Sequence, residues 1–236
     1  MKTFYFNIQS KGGAGKSMLT YLQALKNENN DTVAFVDLDS STQTSKRQLK
    51  FLSAKKRLFE VDIFDNIRKI EREKMFLIIE ALNTNSFSEI YIDFGAPESE
   101  QLPGLFSIDF SIDEFKEFET GLGCKFVFNV IVAGGTAYTS SIEYLKRITE
   151  LIKGKFDVYA YVNEFTFHNY AHLIDEVRVF AKATKGLIKD VKPYGAIHID
   201  RNSGQLITEN IKEGKGIGEY YSFAAKTIIK REITKV

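Results

Sequence analysis

The segment KGGAGKS at residues 11–17 constrains this chain more than any other feature of its sequence. It follows a short, mostly apolar run at residues 4–8 and precedes apolar residues at helical spacing over residues 17–25. A glycine loop between a strand and a helix directs backbone N–H groups and the positive end of the helix dipole towards one point. The sequence therefore predicts a phosphate-binding loop.

The residues of this loop have separate predicted roles. Lys16 is expected to reach the terminal phosphates of a nucleotide, and the Ser17 hydroxyl is expected to hold Mg²⁺. Ser10 stands where the common pattern G-x-x-x-x-G-K-[ST] has its first glycine, so the loop is a variant. The residues predicted to line the nucleotide are Lys11, Gly12, Gly13, Ala14, Gly15, Lys16, Ser17 and Met18.

Length and composition restrict the class of protein. The 236 residues suffice for one large α/β domain, and we expect residues 1–236 to form a single one. The net charge of +1 excludes a polycation, and the single cysteine, Cys124, excludes an internal disulfide framework and fits a reducing compartment. We find no signal peptide and no apolar stretch near the roughly 20 residues that a membrane span needs, so a cytoplasmic location is predicted.

Strand and helix patterns alternate along the whole chain, which predicts an α/β fold with a mostly parallel sheet and helices on both faces. The predicted strands are 3–9, 32–37, 58–64, 89–93, 125–132, 157–163 and 187–192. The predicted helices are 17–27, 42–54, 66–82, 111–119, 138–152, 169–184 and 219–233.

Carboxylates follow two of the predicted strands. Asp37 and Asp39 end the second strand, and alternation places both on the same side, so either or both could face a terminal phosphate. Asp93 ends the strand at 89–93 and is expected to act on Mg²⁺ directly or through water. Gly95 and Pro97 predict a bent loop after it. These positions extend the predicted metal site beyond Ser17.

Other polar residues have more than one interpretation. Asn163 ends a third apolar strand, where its amide could pair with an adenine edge or simply form a turn. His168, His172 and His198 show no metal-ligand spacing and are assigned structural or surface roles. From Ala181 onward the chain has eleven basic residues and six acidic ones, which indicates either weak DNA-phosphate contact or an ordinary solvated surface.

These residues resemble the ParA/MinD family of deviant-Walker ATPases. Residues 11–17 match its K-G-G-x-G-K-[ST] signature, residues 36–39 with Gln43 are similar to its D-x-D-P-Q switch, and Asp93 and Asn163 fall where it has a second acidic strand and an adenine-contacting asparagine. Short segments around Gln9, Met18, residues 92–96 and residues 130–135 are also similar to the TraL-like proteins of conjugative plasmids.

The resemblance implies a P-loop NTPase that uses ATP and Mg²⁺ and forms a homodimer with ATP held between its subunits. Lys11 would reach the nucleotide of the other subunit, Asp39 would position the attacking water or assist the metal, and Lys16 would complete the catalytic set. Hydrolysis would be slow until an activating partner protein binds. Such a switch would position or segregate cargo in plasmid or chromosome partition or in conjugal transfer.

The sequence also departs from the family pattern and leaves other functions open. Ser40 and Ser41 replace the usual Pro-Gln after the second aspartate, and Phe94-Gly95 follows Asp93 in place of an immediate proline run. The alternatives are a MinD-like membrane-surface ATPase, an ATP-dependent ligase on the same scaffold, and a module that holds ATP without hydrolysing it. An iron–sulfur reductase on this scaffold is excluded, because the resemblance implies that it needs two cysteines per chain and this chain has one.

Overall fold

The protein, seen here in a computed structural model that describes residues 1–38 and 44–236, is built on a parallel β-sheet. Its strands lie in the order β3-β2-β4-β1-β5-β6-β7, and each neighbouring pair is parallel. The strands are β1 Lys2–Ile8, β2 Val33–Asp37, β3 Leu58–Glu60, β4 Glu89–Asp93, β5 Cys124–Val132, β6 Asp157–Asn163 and β7 Ile188–Tyr194.

Helices cover both faces of this sheet. They are α1 Lys16–Lys26, α2 Thr44–Gln48, α3 Arg72–Thr84, α4 Ala96–Gly104, α5 Ile112–Leu122, α6 Tyr138–Ile152, α7 His172–Ala183, α8 Asn202–Glu213 and α9 Phe223–Ile233. Side chains of α3 to α7 pack on one face, and side chains of α1, α8 and α9 pack on the other. The predicted α/β class is confirmed. Within the described ranges, no helix is both long and apolar enough to cross a membrane.

Alternation along the strands explains the two cores. In β1, Phe4, Phe6 and Ile8 belong to the core under α3 to α7, whereas Tyr5 packs with the core under α1. The strands of a parallel sheet covered on both sides are buried on both faces, which is why they read as apolar runs. All seven predicted strands are therefore present, although β3 ends at Glu60 rather than at residue 64.

Several predicted helices are shorter than expected; the one predicted at 219–233, for example, begins only at Phe223. The helix predicted at 66–82 begins only at Arg72, because residues before it turn back through a bridge between Phe64 and Ile70. Gln101 stabilises that turn by accepting from the Ile70 N–H and donating to the Arg68 carbonyl. The helix predicted at 42–54 is α2 followed by a 3₁₀ helix, Lys50–Lys55, within the described part of the chain.

Two helices were not predicted. The bent loop expected after Asp93 is α4, which begins at Ala96 with Pro97 in its first turn and continues into a π-helix, Leu105–Asp109. Proline is compatible with a first helical turn, since the N–H it lacks has no partner there. The other, α8, buries only Gly204, Ile207 and Ile211, a stripe too thin to distinguish from a loop by periodicity.

Candidate functional site

The loop between β1 and α1 has the conformation that the glycines predict. Gly13 and Gly15 have φ angles of 74° and 109°, in the left-handed region that favours glycine. A Cβ on Gly15 would collide with Asn163 Nδ2 and would lie 2.8 Å from the Tyr194 hydroxyl oxygen. The N-cap residue of α1 is Gly15, which has no side chain that could accept a hydrogen bond from the first turn. The N–H groups of that turn therefore point towards the loop without a side-chain cap.

Lys16 is held under the loop by its neighbours. Its side chain is 8% exposed, and Nζ donates to the Gln9 carbonyl oxygen at 2.8 Å. The Gln9 side chain is fully buried: Oε1 accepts from the Lys11 N–H at 3.1 Å, and Nε2 donates to the Ile131 carbonyl at 2.6 Å. Gln9 therefore shapes both ends of the loop, a role that sequence reasoning missed; its signal was a polar residue directly after a buried strand.

The other predicted loop residues lie nearer the surface. Lys11, Gly12 and Gly13 are exposed, Ser17 and Met18 are half-buried, and Ala14 is buried. Lys11 is thus accessible to solvent, whereas Lys16 is buried. Its predicted reach to a second subunit stays a prediction.

A row of polar side chains crosses the sheet beneath α1. Asn129, Asn7, Asp93 and Asp37 occupy the same register on β5, β1, β4 and β2. The Asn7 amide donates to Thr20 Oγ1 at 2.9 Å and to Gln23 Oε1 at 2.7 Å, and its oxygen accepts from Asn129 at 2.9 Å. These bonds fix α1, and with it the start of the phosphate loop helix, on the edge that carries the carboxylates.

Asp93 is a deeply buried carboxylate of this row. Its side chain is 1% exposed; Ser45 donates to Oδ2, while Oδ1 has no hydrogen-bond partner in the described part of the chain. The pKa of Asp93 is raised to about 7, because burial, and to a smaller extent the Asp37 charge, outweigh the lowering effects of the Ser45 hydroxyl, the Lys16 ammonium group and the Ser17 hydroxyl. A buried carboxylate oxygen without a donor is what a bound cation would satisfy, so Asp93 and the neighbouring Ser17 hydroxyl fit a magnesium site.

The second strand places Asp37 beside Asp93. Asp37 is 5% exposed and accepts from the Lys46 N–H at 2.8 Å, so it also fixes the start of α2. Asp39, predicted to act in catalysis and metal binding, lies outside the described residues, as does Gln43. The choice between Asp37 and Asp39 for positioning water therefore stays open.

The ends of β6 and β7 brace the loop from the other side. Asn163 is 2% exposed and donates from Nδ2 to the Ala14 carbonyl at 2.8 Å. The Tyr194 hydroxyl donates to the Gly15 carbonyl at 3.0 Å. The donor half of the Asn163 amide is thus engaged with the loop, and only its oxygen lacks a hydrogen bond to any described residue. Its predicted pairing with adenine stays a prediction.

A cavity of about 360 Å³ is lined by residues that come shortly after Asn163 and Tyr194 in the chain. Its walls are the segments that follow β6 and β7, including Phe165, Phe167, His168, Ile174, Ile197 and His198. The His168 and His198 rings face each other with centroids 5.4 Å apart. His168 and His198, which the sequence analysis assigned structural or surface roles, therefore meet at a cavity, and each lies in the segment after a different strand.

We compared the chain with known proteins. No family model matches the sequence, and no curated protein matches it. Among solved structures, MinD of Aquifex aeolicus superposes with a TM-score of 0.52 and 15% identity, over 99% of this chain and 95% of that one. A chain of the MinC:MinD cell division protein complex of the same organism superposes with a TM-score of 0.54 and 15% identity, with the same coverage.

The chain has the MinD fold. The likeness to MinD extends over nearly all of this chain, so it includes the C-terminal helices as well as the phosphate loop. At 15% identity it establishes the architecture, and the chemistry has to be argued from the residues described above.

Proposed function

We propose that this chain is an ATP-hydrolysing switch of the ParA/MinD type that dimerises around ATP. The observation that carries the proposal is the left-handed conformation of Gly13 and Gly15 at the start of α1, with buried Lys16 and Asp93 close to it. Backbone N–H groups and a lysine together match a polyphosphate, and the resemblance of residues 11–17 to the K-G-G-x-G-K-[ST] signature implies that it is ATP.

Different residues of the site would bind the phosphates and the metal ion. The N–H groups of the loop and Lys16 would hold the phosphates, since Lys16 can exchange the Gln9 carbonyl for a phosphate oxygen. Ser17 and Asp93 would hold Mg²⁺, with Asp39 as a further ligand or as the residue that positions water. When bound, Mg²⁺ neutralises charge that develops on the phosphate oxygens.

We place the nucleoside end in the cavity between the segments after β6 and β7. Glu164 of its wall directly follows Asn163, and Ala196 follows Gly195, where an added Cβ would lie 2.9 Å from Met18 Sδ. The two walls therefore begin next to residues that contact the phosphate loop, and the aromatic and aliphatic lining of the cavity suits a purine ring.

The switch function requires a second subunit. Exposed Lys11 would contact the nucleotide of the partner in an ATP-bound homodimer, and an activating protein would accelerate slow hydrolysis. The cargo would be plasmid or chromosomal DNA or a conjugation complex, with the basic C-terminal region contacting DNA without sequence preference in the cytoplasm.

The mass of the protein in solution tests this proposal. We expect Asp39→Ala, with ATP and Mg²⁺, to elute at twice the 26.9 kDa of one chain by light scattering, because hydrolysis is blocked. The double change Lys11→Ala/Asp39→Ala should stay at 26.9 kDa because the contact across the dimer is lost. If both variants stayed monomeric although ATP was shown to be bound, the proposed dimer would be wrong.

The two lysines of the loop should differ in their effects. Lys16→Ala should weaken ATP binding itself, whereas Lys11→Ala should keep ATP binding and lose ATP hydrolysis.

A further inference from the structure

The cavity wall is tied to the C-terminal helix by a buried carboxylate. Glu232 of α9 is fully buried, and its Oε2 accepts from the Ala196 N–H at 3.0 Å. Ala196 lies in the segment after β7 that forms one wall of the cavity. A buried carboxylate that binds a backbone N–H fixes that backbone firmly, since leaving either group without its partner is costly.

The opposite wall is tied to the end of the same segment by a lysine that follows α9. Lys235 Nζ lies 2.6 Å from Glu164 Oε2 and 3.0 Å from Glu232 Oε2. Glu164 opens the segment after β6, which is the second wall of the cavity. The chain of contacts therefore runs from one wall through Lys235 and Glu232 to the other wall.

Other charges near this bridge do not replace it. The Arg231 guanidinium lies 3.6 Å from Glu232 Oε1, but its side chain is 65% exposed. Glu232 Oε1 has no hydrogen-bond partner within the described ranges. Lys235, at 27% exposure, is thus the cation that meets both carboxylates.

We propose that Glu232 and Lys235 are positioning residues that set the spacing of the two walls around the nucleoside end of ATP. The inference rests on the proposed function, because it takes the cavity as the nucleoside site. It also makes the C-terminal helix a regulatory element. A ligand or partner that displaces this end of α9 would weaken nucleotide binding, and bound nucleotide would oppose the displacement by the same factor.

Comparison of two probes isolates the effect of the bridge. ATP uses both the phosphate loop and the cavity, whereas inorganic tripolyphosphate uses the phosphate loop alone. By calorimetric titration with Mg²⁺ present, we expect Lys235→Met to bind ATP about tenfold more weakly and tripolyphosphate as tightly as the unchanged protein, a factor within the usual range of coupling. Lys235→Arg should restore ATP binding, because arginine can span the same two carboxylates.

Controls separate this inference from the proposed function. Lys146→Met removes an exposed lysine from α6, on the other face of the sheet, and should change neither affinity. Glu232→Gln should weaken ATP binding and leave tripolyphosphate binding unchanged, as Lys235→Met does. Hydrogen exchange at the Ala196 N–H should be faster in both variants. An equal loss of affinity for ATP and for tripolyphosphate, or no loss of affinity for ATP, would overturn the proposed role of Glu232 and Lys235. If the unchanged protein bound neither probe, the proposed function itself would be wrong.

Discussion

At the scale of single residues, Gly15 carries the largest steric constraint in the loop. Its φ of 109° and the collision of an added Cβ with Asn163 Nδ2 make alanine doubly unfavourable there. Gly12 is a matched control in the same loop, because an added Cβ would meet nothing within 4 Å and its φ is not positive.

We expect Gly15→Ala to abolish detectable ATP binding and to lower the free energy of unfolding by about 3 kcal/mol, combining left-handed strain with the displacement of Asn163. Gly12→Ala should change the stability by less than about 1 kcal/mol. Urea unfolding and ATP titration measure both effects. Equal behaviour of the two variants would show that the loop relaxes away from Asn163.

Asp93 predicts a pH dependence of stability. Because the pKa of Asp93 in the folded chain, about 7, exceeds the ordinary value of an aspartate, the folded chain binds this proton more tightly than the unfolded chain. The contribution of Asp93 to the free energy of unfolding therefore falls as pH rises from about 4 to about 7, and is constant above that.

Asp93→Asn should remove this dependence. Without nucleotide or Mg²⁺, we expect the variant to gain up to about 3 kcal/mol in unfolding free energy relative to the unchanged protein between pH 5 and pH 8. Urea unfolding at the two pH values measures this difference. Parallel stability curves would show that Asp93 titrates normally. With ATP and Mg²⁺ the same variant should bind the nucleotide more weakly, because the metal site loses the negative charge of the Asp93 carboxylate.

At the scale of elements, the attachment of α1 to the sheet is polar as well as apolar. Leu19, Leu22 and Leu25 pack in the core, while Asn7 holds Thr20 and Gln23 by hydrogen bonds. A fully paired network of this kind specifies one rotation and one height of the helix, which apolar packing alone would leave less defined.

We expect Asn7→Ala to lower the free energy of unfolding by about 3 kcal/mol, because the side chains of Gln23 and Asn129 lose a buried partner. ATP affinity should fall as well, since the first residue of α1 is Lys16. Ser111→Ala is the comparison: it removes the capping box of α5 and should cost about 1 kcal/mol without altering ATP affinity. Denaturant unfolding and ATP titration report both quantities. Unchanged ATP affinity in Asn7→Ala would show that the network is purely structural.

At the scale of the whole molecule, charge predicts the surface on which the switch acts. The chain is nearly neutral overall but carries an excess of five positive charges from Ala181 onward, where eleven basic residues stand against six acidic ones. Lys212 and Lys230, on α8 and α9, are exposed members of this group. Phosphate binding through such residues weakens steeply as salt rises.

With ATP and Mg²⁺ we expect the protein to be retained on duplex DNA of unrelated sequence at low salt, and Lys212→Glu/Lys230→Glu to lose most of that retention. Lys146→Glu, on the opposite face, should keep it. The measurement is a gel shift over a salt series, run beside sedimentation with anionic liposomes. Pelleting with liposomes and no DNA retention would favour a membrane-surface ATPase instead.

Local information in the sequence was sufficient for the conformation of the glycine loop, the strands and the fold class. The left-handed glycines, the strand alternation and the carboxylates at strand ends depend on neighbouring residues and on the fixed geometry of a parallel sheet. For that reason the sequence was sufficient to place Lys16, Ser17 and Asp93 near one edge of the sheet, whereas their roles in binding stay predictions. The helix α4 was missed because its prolines favour a loop unless their position in the first turn is known.

Only the tertiary structure decided how distant residues meet. The polar row of Asn129, Asn7, Asp93 and Asp37 depends on strand register, and no local pattern specifies that register between β2 and β5. The support of the loop by Gln9 and Asn163, and the bridge of Glu232 to Ala196, likewise join residues far apart in the chain. Burial makes these contacts matter, because each polar group removed from water must find its partner within the folded chain.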